Sequence, residues 1–126
     1  MANILVIDDM AGVRRAVSSV LKKAGHVVTE ADNGATGLQL AAENEYNLII
    51  TDIVMPGTDG TEVIKALAAR PAGPPIIAMS GGGAHLTSEE ALTHAKQTAN
   101  GALAKPFSGK ELLAAVDALL GVVEPA

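Results

Sequence analysis

The sequence of 126 residues contains no cysteine and no tryptophan, and it has one tyrosine and one phenylalanine. Without cysteine the chain cannot form a disulfide scaffold, use a thiol nucleophile or bind zinc through thiolates. Because aromatics make up 2% of the residues, the core must be built from alanine, valine, isoleucine and leucine. The length is sufficient for one domain whose core needs no cross-links.

The chain also lacks an excess of basic residues and a long apolar run. Its formal net charge of -5 argues against a nucleic-acid partner, because phosphate binding needs a surplus of Lys and Arg. The apolar N-terminus stops at Asp8, too early for a signal-peptide core. No segment approaches the ~20 apolar residues of a membrane helix. We therefore expect a cytoplasmic domain with no nucleic-acid and no membrane partner.

Short apolar runs recur at fairly regular intervals and are separated by segments with helical spacing. Runs that are short and rich in leucine and β-branched residues are typical of buried parallel strands. The last run, Ala-Leu-Ala, is weak and is assigned as a strand from its context. The five predicted strands are Ile4–Ile7, Val27–Thr29, Leu48–Thr51, Ile76–Met79 and Ala102–Ala104.

Helices are predicted after each of these strands. Gly25 is a C-terminal cap for the first helix, Thr87–Glu90 is a capping box for the fourth, and Ser108 caps the fifth. The apolar positions are Val13, Val17, Val20, Leu21 and Ala24 in the first helix, Leu38, Ala41 and Ala42 in the second, Val63, Ile64 and Leu67 in the third, Ala91, Leu92 and Ala95 in the fourth, and Leu112, Leu113, Val116, Leu119 and Leu120 in the fifth.

This alternation predicts an α/β fold in which a parallel sheet is covered by helices on both faces. No linker, repeat or low-complexity tract divides the chain, so we expect residues 1–126 to form a single domain. Sheets of this kind place their ligand sites at the carboxyl ends of the strands, around the topological switch point.

Residues whose side chains can bind a metal or take part in a reaction follow four of the predicted strands. Asp8 and Asp9 follow the first, Asp52 the third, Ser80 the fourth and Lys105 the fifth. If the first and third strands are neighbours, as in the flavodoxin-like order 2-1-3-4-5, the three carboxylates converge. A site with only oxygen ligands favours Mg²⁺. One carboxylate can then attack phosphorus and form an acyl phosphate, with Ser80 and Lys105 contacting the phosphoryl oxygens from the opposite side.

The same residues resemble the receiver domain of two-component response regulators over essentially the whole chain. The resemblance depends on an ordered set of motifs: the pair Asp8-Asp9, the stretch from Asp52 to Gly60, Ser80, and Lys105-Pro106-Phe107. It implies a flavodoxin-like (βα)5 three-layer sandwich with a five-stranded parallel sheet in the order 2-1-3-4-5.

The resemblance also implies which residues hold the metal. Asp52 would be the phosphoacceptor, and Asp9 and Asp52 would be direct Mg²⁺ ligands. Asp8 would assist, and the main-chain carbonyl of Val54 would complete the protein's share of the ligands.

Further roles follow from the same resemblance. Ser80 would be the switch hydroxyl, and Lys105 would pair with the phosphoryl group. The donor would be a phosphohistidine on a sensor histidine kinase or a histidine phosphotransfer protein, which docks on the helix that carries Arg14 and Arg15. Those two arginines are interpreted as a solvated face.

We expect a signalling module rather than an enzyme, whose chemistry is limited to its own phosphorylation and dephosphorylation. Because few residues follow the fifth predicted helix, a stand-alone regulator without an output domain is favoured over a transcription factor. The alternative is a fragment of a longer protein, in which Pro125-Ala126 begins a linker. It would act through protein contacts or as a phosphate shuttle, as a monomer or a dimer formed on phosphorylation.

The sequence departs from the family pattern in three places. Ala102 stands where the family usually has Tyr or Phe, so an aromatic switch cannot operate from that position. Ser80 is followed by Gly81–Gly83, which suggests that a loop around Ser80 reads out phosphorylation instead. Met10 follows the acidic pair and either lies at the mouth of the site or fills a gap as a partly buried side chain.

Three other functions were weighed. An aspartyl-phosphate phosphatase of the haloacid dehalogenase type needs a second Asp two residues after the nucleophile, where this chain has Val54. A flavin carrier needs a phosphate-binding loop after the first strand, where Asp8 and Asp9 would repel the phosphate. A receiver-like binding module that has lost phosphorylation does not need the acidic residues, Ser80 and Lys105.

Overall fold

Seven strands and three helices make up the part of the chain that the computed structural model describes, which is residues 2–52, 54–55, 58–59, 66, 74–80, 101–104 and 107–120. In chain order they are β1 (Asn3–Ile7), α1 (Ala11–Lys23), β2 (Val27–Ala31), α2 (Gly34–Glu43), β3 (Leu48–Asp52), β4 (Val54–Met55), β5 (Thr58–Asp59), β6 (Ile76–Ser80), β7 (Gly101–Ala104) and α3 (Gly109–Leu120). The predicted third and fourth helices lie outside the described residues, apart from Ala66.

Five of these strands form one parallel sheet in the order β2-β1-β3-β6-β7. These are the five predicted strands, so the predicted order 2-1-3-4-5 and the flavodoxin-like fold are confirmed. The central strand β3 is buried along its whole length. The antiparallel pair β4 and β5 was not predicted, because strands of two residues are too short to show a hydrophobic period.

Apolar side chains pack on both faces of the sheet and form two separate clusters. Successive residues of β1 alternate between them, since neighbouring side chains of a strand point to opposite faces. Leu5 and Ile7 join the cluster beneath α2, and Ile4 and Val6 join the cluster beneath α1 and α3. The protein is therefore a three-layer sandwich whose cores are almost entirely aliphatic.

Local signals end and begin the helices as predicted. Gly25 follows the C-cap residue of α1 with φ at +96°, a left-handed conformation that favours glycine. At the start of α3, the main-chain N–H of Glu111 donates to Ser108 Oγ, and the main-chain N–H of Ser108 donates to Glu111 Oε1, each at 3.0 Å. This reciprocal pair is a capping box.

The predicted apolar faces are correct in outline but wrong at two positions. Val17 and Leu21 of α1 are buried, as are Leu112 and Val116 of α3. Ala24 and Ala42, which were predicted as apolar positions of the first and second helices, are exposed; they lie at or beyond the last turn of those helices. None of the helices in the described segments has the length and apolar character that crossing a membrane requires.

Candidate functional site

An acidic cluster lies at the carboxyl ends of β1 and β3, which are neighbours at the topological switch point of the sheet. Strand β1 has β2 on one side and β3 on the other, so the switch point lies between β1 and β3. The register pairs Ile7 with Thr51, which brings the next residues, Asp8 and Asp52, to the same level of the edge. Asp9 follows directly. We name Asp8, Asp9 and Asp52 the acidic cluster.

The three carboxylates of this cluster converge. Each contributes one oxygen, and these oxygens all lie within 4.8 Å of one another. Asp8 is 0% exposed and Asp52 is 4% exposed, whereas Asp9 is accessible from solvent. Burial of carboxylates side by side is unfavourable unless positive charge or hydrogen bonds compensate them. These buried carboxylates therefore need such compensation, whereas acids on the surface are stabilised by water.

Hydrogen bonds to the main chain hold the cluster in place. The N–H of Asp8 donates to the carbonyl of Ala31 at 3.1 Å, and Asp8 Oδ1 accepts from the N–H of Met10 at 2.9 Å. On the neighbouring strand, the buried hydroxyl of Thr51 donates to the carbonyl of Asp52 at 3.1 Å. The acidic side chains thus project from a backbone that is fixed before any ligand binds.

The donor set fits a hard divalent cation. The cluster offers only carboxylate oxygens, which are the ligands that Mg²⁺ and Ca²⁺ prefer, and no histidine or cysteine of the soft-metal type belongs to it. A bound cation would compensate two buried carboxylates at once. The acidic cluster is therefore a candidate metal site, as the sequence predicted.

The other predicted site residues are placed by the backbone or lie outside the described residues. Ser80 ends β6 and pairs in register with Ala104, so its position is at the same edge as Asp52. Val54 begins β4, two residues after Asp52. Lys105 directly follows Ala104 in the sequence but lies outside the described residues, as does the stretch Gly81–Gly83.

At the start of α1 one prediction is corrected, for Arg14, and one open alternative is decided, for Met10. Arg14 is not part of a solvated face: its side chain is 15% exposed and forms an ion pair with Glu30 at 3.0 Å. Met10 does not fill a gap, because it is 57% exposed, and its contribution to the cluster is its main-chain N–H. The sequence offered little signal for Arg14, since its partners lie on other elements, but Arg15 is exposed as expected.

Taken together, the fold and the cluster define a doubly wound parallel α/β protein with a candidate cation site at its switch point. Comparison with known families narrows this class. Residues 4–117 match the family described as the response regulator receiver domain. The chain belongs to this family.

Individual relatives agree with this assignment. The chain is 38% identical over 117 residues to the probable transcriptional regulatory protein SilR of Salmonella typhimurium, which covers 93% of the chain and 50% of that protein. It is 37% identical over 116 residues to the transcriptional regulatory protein FixJ of Azorhizobium caulinodans, covering 92% of the chain and 54% of FixJ. The chain thus spans about half the length of these curated relatives.

Solved structures show the same fold. The chemotaxis response regulator CheY4 of Vibrio cholerae superimposes with a TM-score of 0.82 at 30% identity, covering 94% of this chain and 98% of CheY4. The receiver domain of the Francisella response regulator 1452 gives a TM-score of 0.83 at 29% identity, covering 96% of this chain and 98% of that domain.

Membership of the family establishes the general function. Receiver domains are signalling modules of two-component systems; they are phosphorylated on an aspartate, generally use Mg²⁺, and interact with histidine kinases or phosphotransfer proteins. Membership of this family argues against the two alternatives from other families, the aspartyl-phosphate phosphatase and the flavin carrier. The relatives are transcriptional regulatory proteins, so the expected absence of a nucleic-acid partner stays a prediction.

Proposed function

We propose that Asp52 is the residue that becomes phosphorylated, and that the acidic cluster holds the Mg²⁺ on which the reaction depends. The observation that carries the proposal is the convergence of three carboxylate oxygens within 4.8 Å at the switch point. Asp52 belongs to the central strand β3, whose complete burial gives its carboxylate a rigid support.

The proposed ligands of the ion are the carboxylates of Asp9 and Asp52 and the main-chain carbonyl of Val54, with Asp8 assisting. When bound, Mg²⁺ supplies positive charge that offsets the charge on the transferring phosphoryl oxygens and on the cluster itself. Asp9 is accessible, so an ion and a phosphoryl donor can reach the site from solvent. One carboxylate oxygen of Asp8 accepts a hydrogen bond from the Met10 N–H, which fits an assisting role for Asp8 rather than that of a main ligand.

The transfer itself is a substitution at phosphorus. A carboxylate oxygen of Asp52 forms the new P–O bond, and the P–N bond to the imidazole of a partner's phosphohistidine breaks. The electron pair of that bond stays on the imidazole nitrogen, which then takes up a proton. Dephosphorylation is the attack of a water molecule on the same phosphorus, which returns the carboxylate and releases inorganic phosphate. The chain in this proposal catalyses only these steps on itself.

Ser80 and Lys105 complete the proposed site on the side away from the metal. The pairing of Ser80 with Ala104 supports this, because Ser80 ends β6 at the edge that carries Asp52 and Lys105 is the next residue in the sequence after Ala104. Their proposed roles are to donate a hydrogen bond and a positive charge to phosphoryl oxygens.

The partners of the chain are also part of this proposal, and membership of the receiver family supports them. A sensor histidine kinase or a histidine phosphotransfer protein would supply the phosphoryl group. The phosphorylated domain would signal through protein contacts or pass the group on as a phosphate shuttle.

A phosphoryl-transfer experiment with a matched control tests the assignment of Asp52. The purified chain is incubated with Mg²⁺ and a small acyl-phosphate donor, and the intact mass is measured. Wild type and Asp32→Asn should gain one phosphoryl group, and Asp52→Asn should gain none. Asp32 is a suitable control because it also follows a strand at this edge but is exposed and outside the cluster. An equal adduct on Asp52→Asn would overturn the proposal, as would an adduct that forms equally well in excess chelator.

A further inference from the structure

Arg14 connects the acidic cluster to two other elements of the fold. Its Nε donates to Glu30 Oε1 on β2 at 3.0 Å, and its Nη1 donates to the main-chain carbonyl of Asp8 at 2.8 Å. Arg14 lies in α1, where its own N–H donates to the carbonyl of Met10 at 2.9 Å. A single side chain therefore ties the first helix and the edge strand β2 to the end of β1.

The carbonyl that Arg14 holds belongs to the peptide between two residues of the cluster. A peptide unit is planar, so the direction of the Asp8 carbonyl also sets the direction of the Asp9 N–H and the start of the Asp9 residue. The opposite side of Asp8 is fixed by its N–H bond to Ala31. Arg14 thus removes the rotation that would otherwise let the Asp8-Asp9 peptide swing away from Asp52.

The guanidinium is well suited to this role. Its planar fork presents several N–H donors in a rigid arrangement, so it can bind a carboxylate and a carbonyl at once. Glu30 orients the fork from the exposed side. The Arg14 side chain is 15% exposed, and its bond to the Asp8 carbonyl is partly buried, which limits competition with water there. Lysine carries the same charge but cannot span both acceptors through one planar group.

We propose that Arg14, oriented by Glu30, is a positioning residue for the cation site: it fixes the Asp8-Asp9 peptide so that both carboxylates face Asp52. The inference rests on the proposed function of the acidic cluster as the Mg²⁺ site. Arg14 itself touches neither the metal nor the phosphoryl group.

Electrostatics and positioning predict opposite effects of removing Arg14, which makes the proposal testable. A positive charge near a cation site weakens cation binding, so removing the charge alone should tighten the binding of Mg²⁺. Loss of a residue that orients metal ligands typically weakens metal binding by about 10- to 100-fold. The sign of the change therefore separates the two roles.

The experiment is calorimetric titration of Mg²⁺ into wild type, Arg14→Met, Arg14→Lys, Arg15→Met and Asp9→Asn, each checked by far-UV circular dichroism. Arg14→Met should raise the Mg²⁺ Kd about tenfold or more, and Arg14→Lys should raise it as well. Arg15→Met removes the same charge from the neighbouring exposed position and should leave the Kd unchanged or lower it.

The outcomes distinguish this inference from the proposed function. If wild type and Asp9→Asn bind Mg²⁺ equally or not at all, the proposed metal site fails, and the role of Arg14 fails with it. If wild type binds and Asp9→Asn does not, but Arg14→Met binds as tightly as Arg15→Met, only the positioning role is overturned. Should Arg14→Met lose its fold, Arg14→Lys decides: a Kd equal to that of wild type overturns the proposal, and a higher one supports it.

Discussion

Asp9→Asn should make the metal-free protein more stable, although the substitution damages the proposed site. The three carboxylate oxygens of the acidic cluster lie within 4.8 Å of one another, and two of the side chains are buried. In the absence of a cation their repulsion opposes folding, because the unfolded chain separates Asp52 from the adjacent pair Asp8 and Asp9. Asparagine is nearly the same size as aspartate and removes one charge, so the repulsion falls without loss of packing.

The size of this effect follows from Coulomb's law. Two unit charges at 4.8 Å repel by about 0.9 kcal/mol in a medium as polar as water and by more at lower effective dielectric. Asp8 stays beside Asp9 when the chain unfolds, so the repulsion that folding adds comes mainly from Asp52. The accessible side chain of Asp9 keeps this repulsion close to the water-like limit. We expect a gain of about 1 kcal/mol, which corresponds to a rise in Tm of about 4 °C for a domain of this size.

Magnesium should reverse the order of stability. A ligand that binds the folded state at 100 times its Kd stabilises that state by about 2.7 kcal/mol. Wild type should therefore gain stability from excess Mg²⁺, whereas Asp9→Asn should gain little. Thermal unfolding followed by far-UV circular dichroism in chelator and in excess Mg²⁺ measures both effects, and it suits a chain without tryptophan.

Glu45→Gln is the matched control, because Glu45 is exposed in the loop before β3 and the substitution removes the same charge. Its free energy of unfolding should change by no more than surface substitutions usually allow, about 0.5 kcal/mol, which is about 2 °C in Tm, in both conditions. A lower Tm for Asp9→Asn than for wild type in chelator would refute the reasoning. A gain equal to that of Glu45→Gln would show that net charge, and not the cluster, is responsible.

Two substitutions outside the site, each compared with a control substitution, test the packing of the core and a helix cap by chemical denaturation. Gly37→Ala should destabilise the protein by about 1–2 kcal/mol, because the new methyl group would lie 2.7 Å from Cγ1 of the fully buried Ile7. In the control Gly12→Ala the methyl group meets no atom within 4 Å, so this substitution should stabilise α1 by up to ~1 kcal/mol. Stabilisation by both substitutions would contradict this account. Ser108→Ala should cost about 1 kcal/mol through loss of the capping box, and a similar loss for the exposed Ser19→Ala would show that the cap is not the cause.

Much of the fold could be predicted because its signals are local. A left-handed glycine such as Gly25 and a capping box such as that of Ser108 and Glu111 involve residues within one helical turn, so their pattern is visible in the chain itself. Four aliphatic runs predicted strands of the sheet for the same reason, whereas the fifth strand, at Ala102–Ala104, was predicted from its context. Pairs of two-residue strands such as β4 and β5 have no such pattern and were missed.

The sequence by itself determined the strands, the order of elements, the aliphatic core and the acidic residues at the strand ends. The tertiary structure decided which of those residues meet. Asp8 and Asp52 converge because β1 and β3 are neighbours in register, and Arg14 reaches Glu30 and the Asp8 carbonyl because α1 packs beside β2. Contacts between residues far apart in the chain depend on strand adjacency and register, and neither is encoded in a local hydrophobic period.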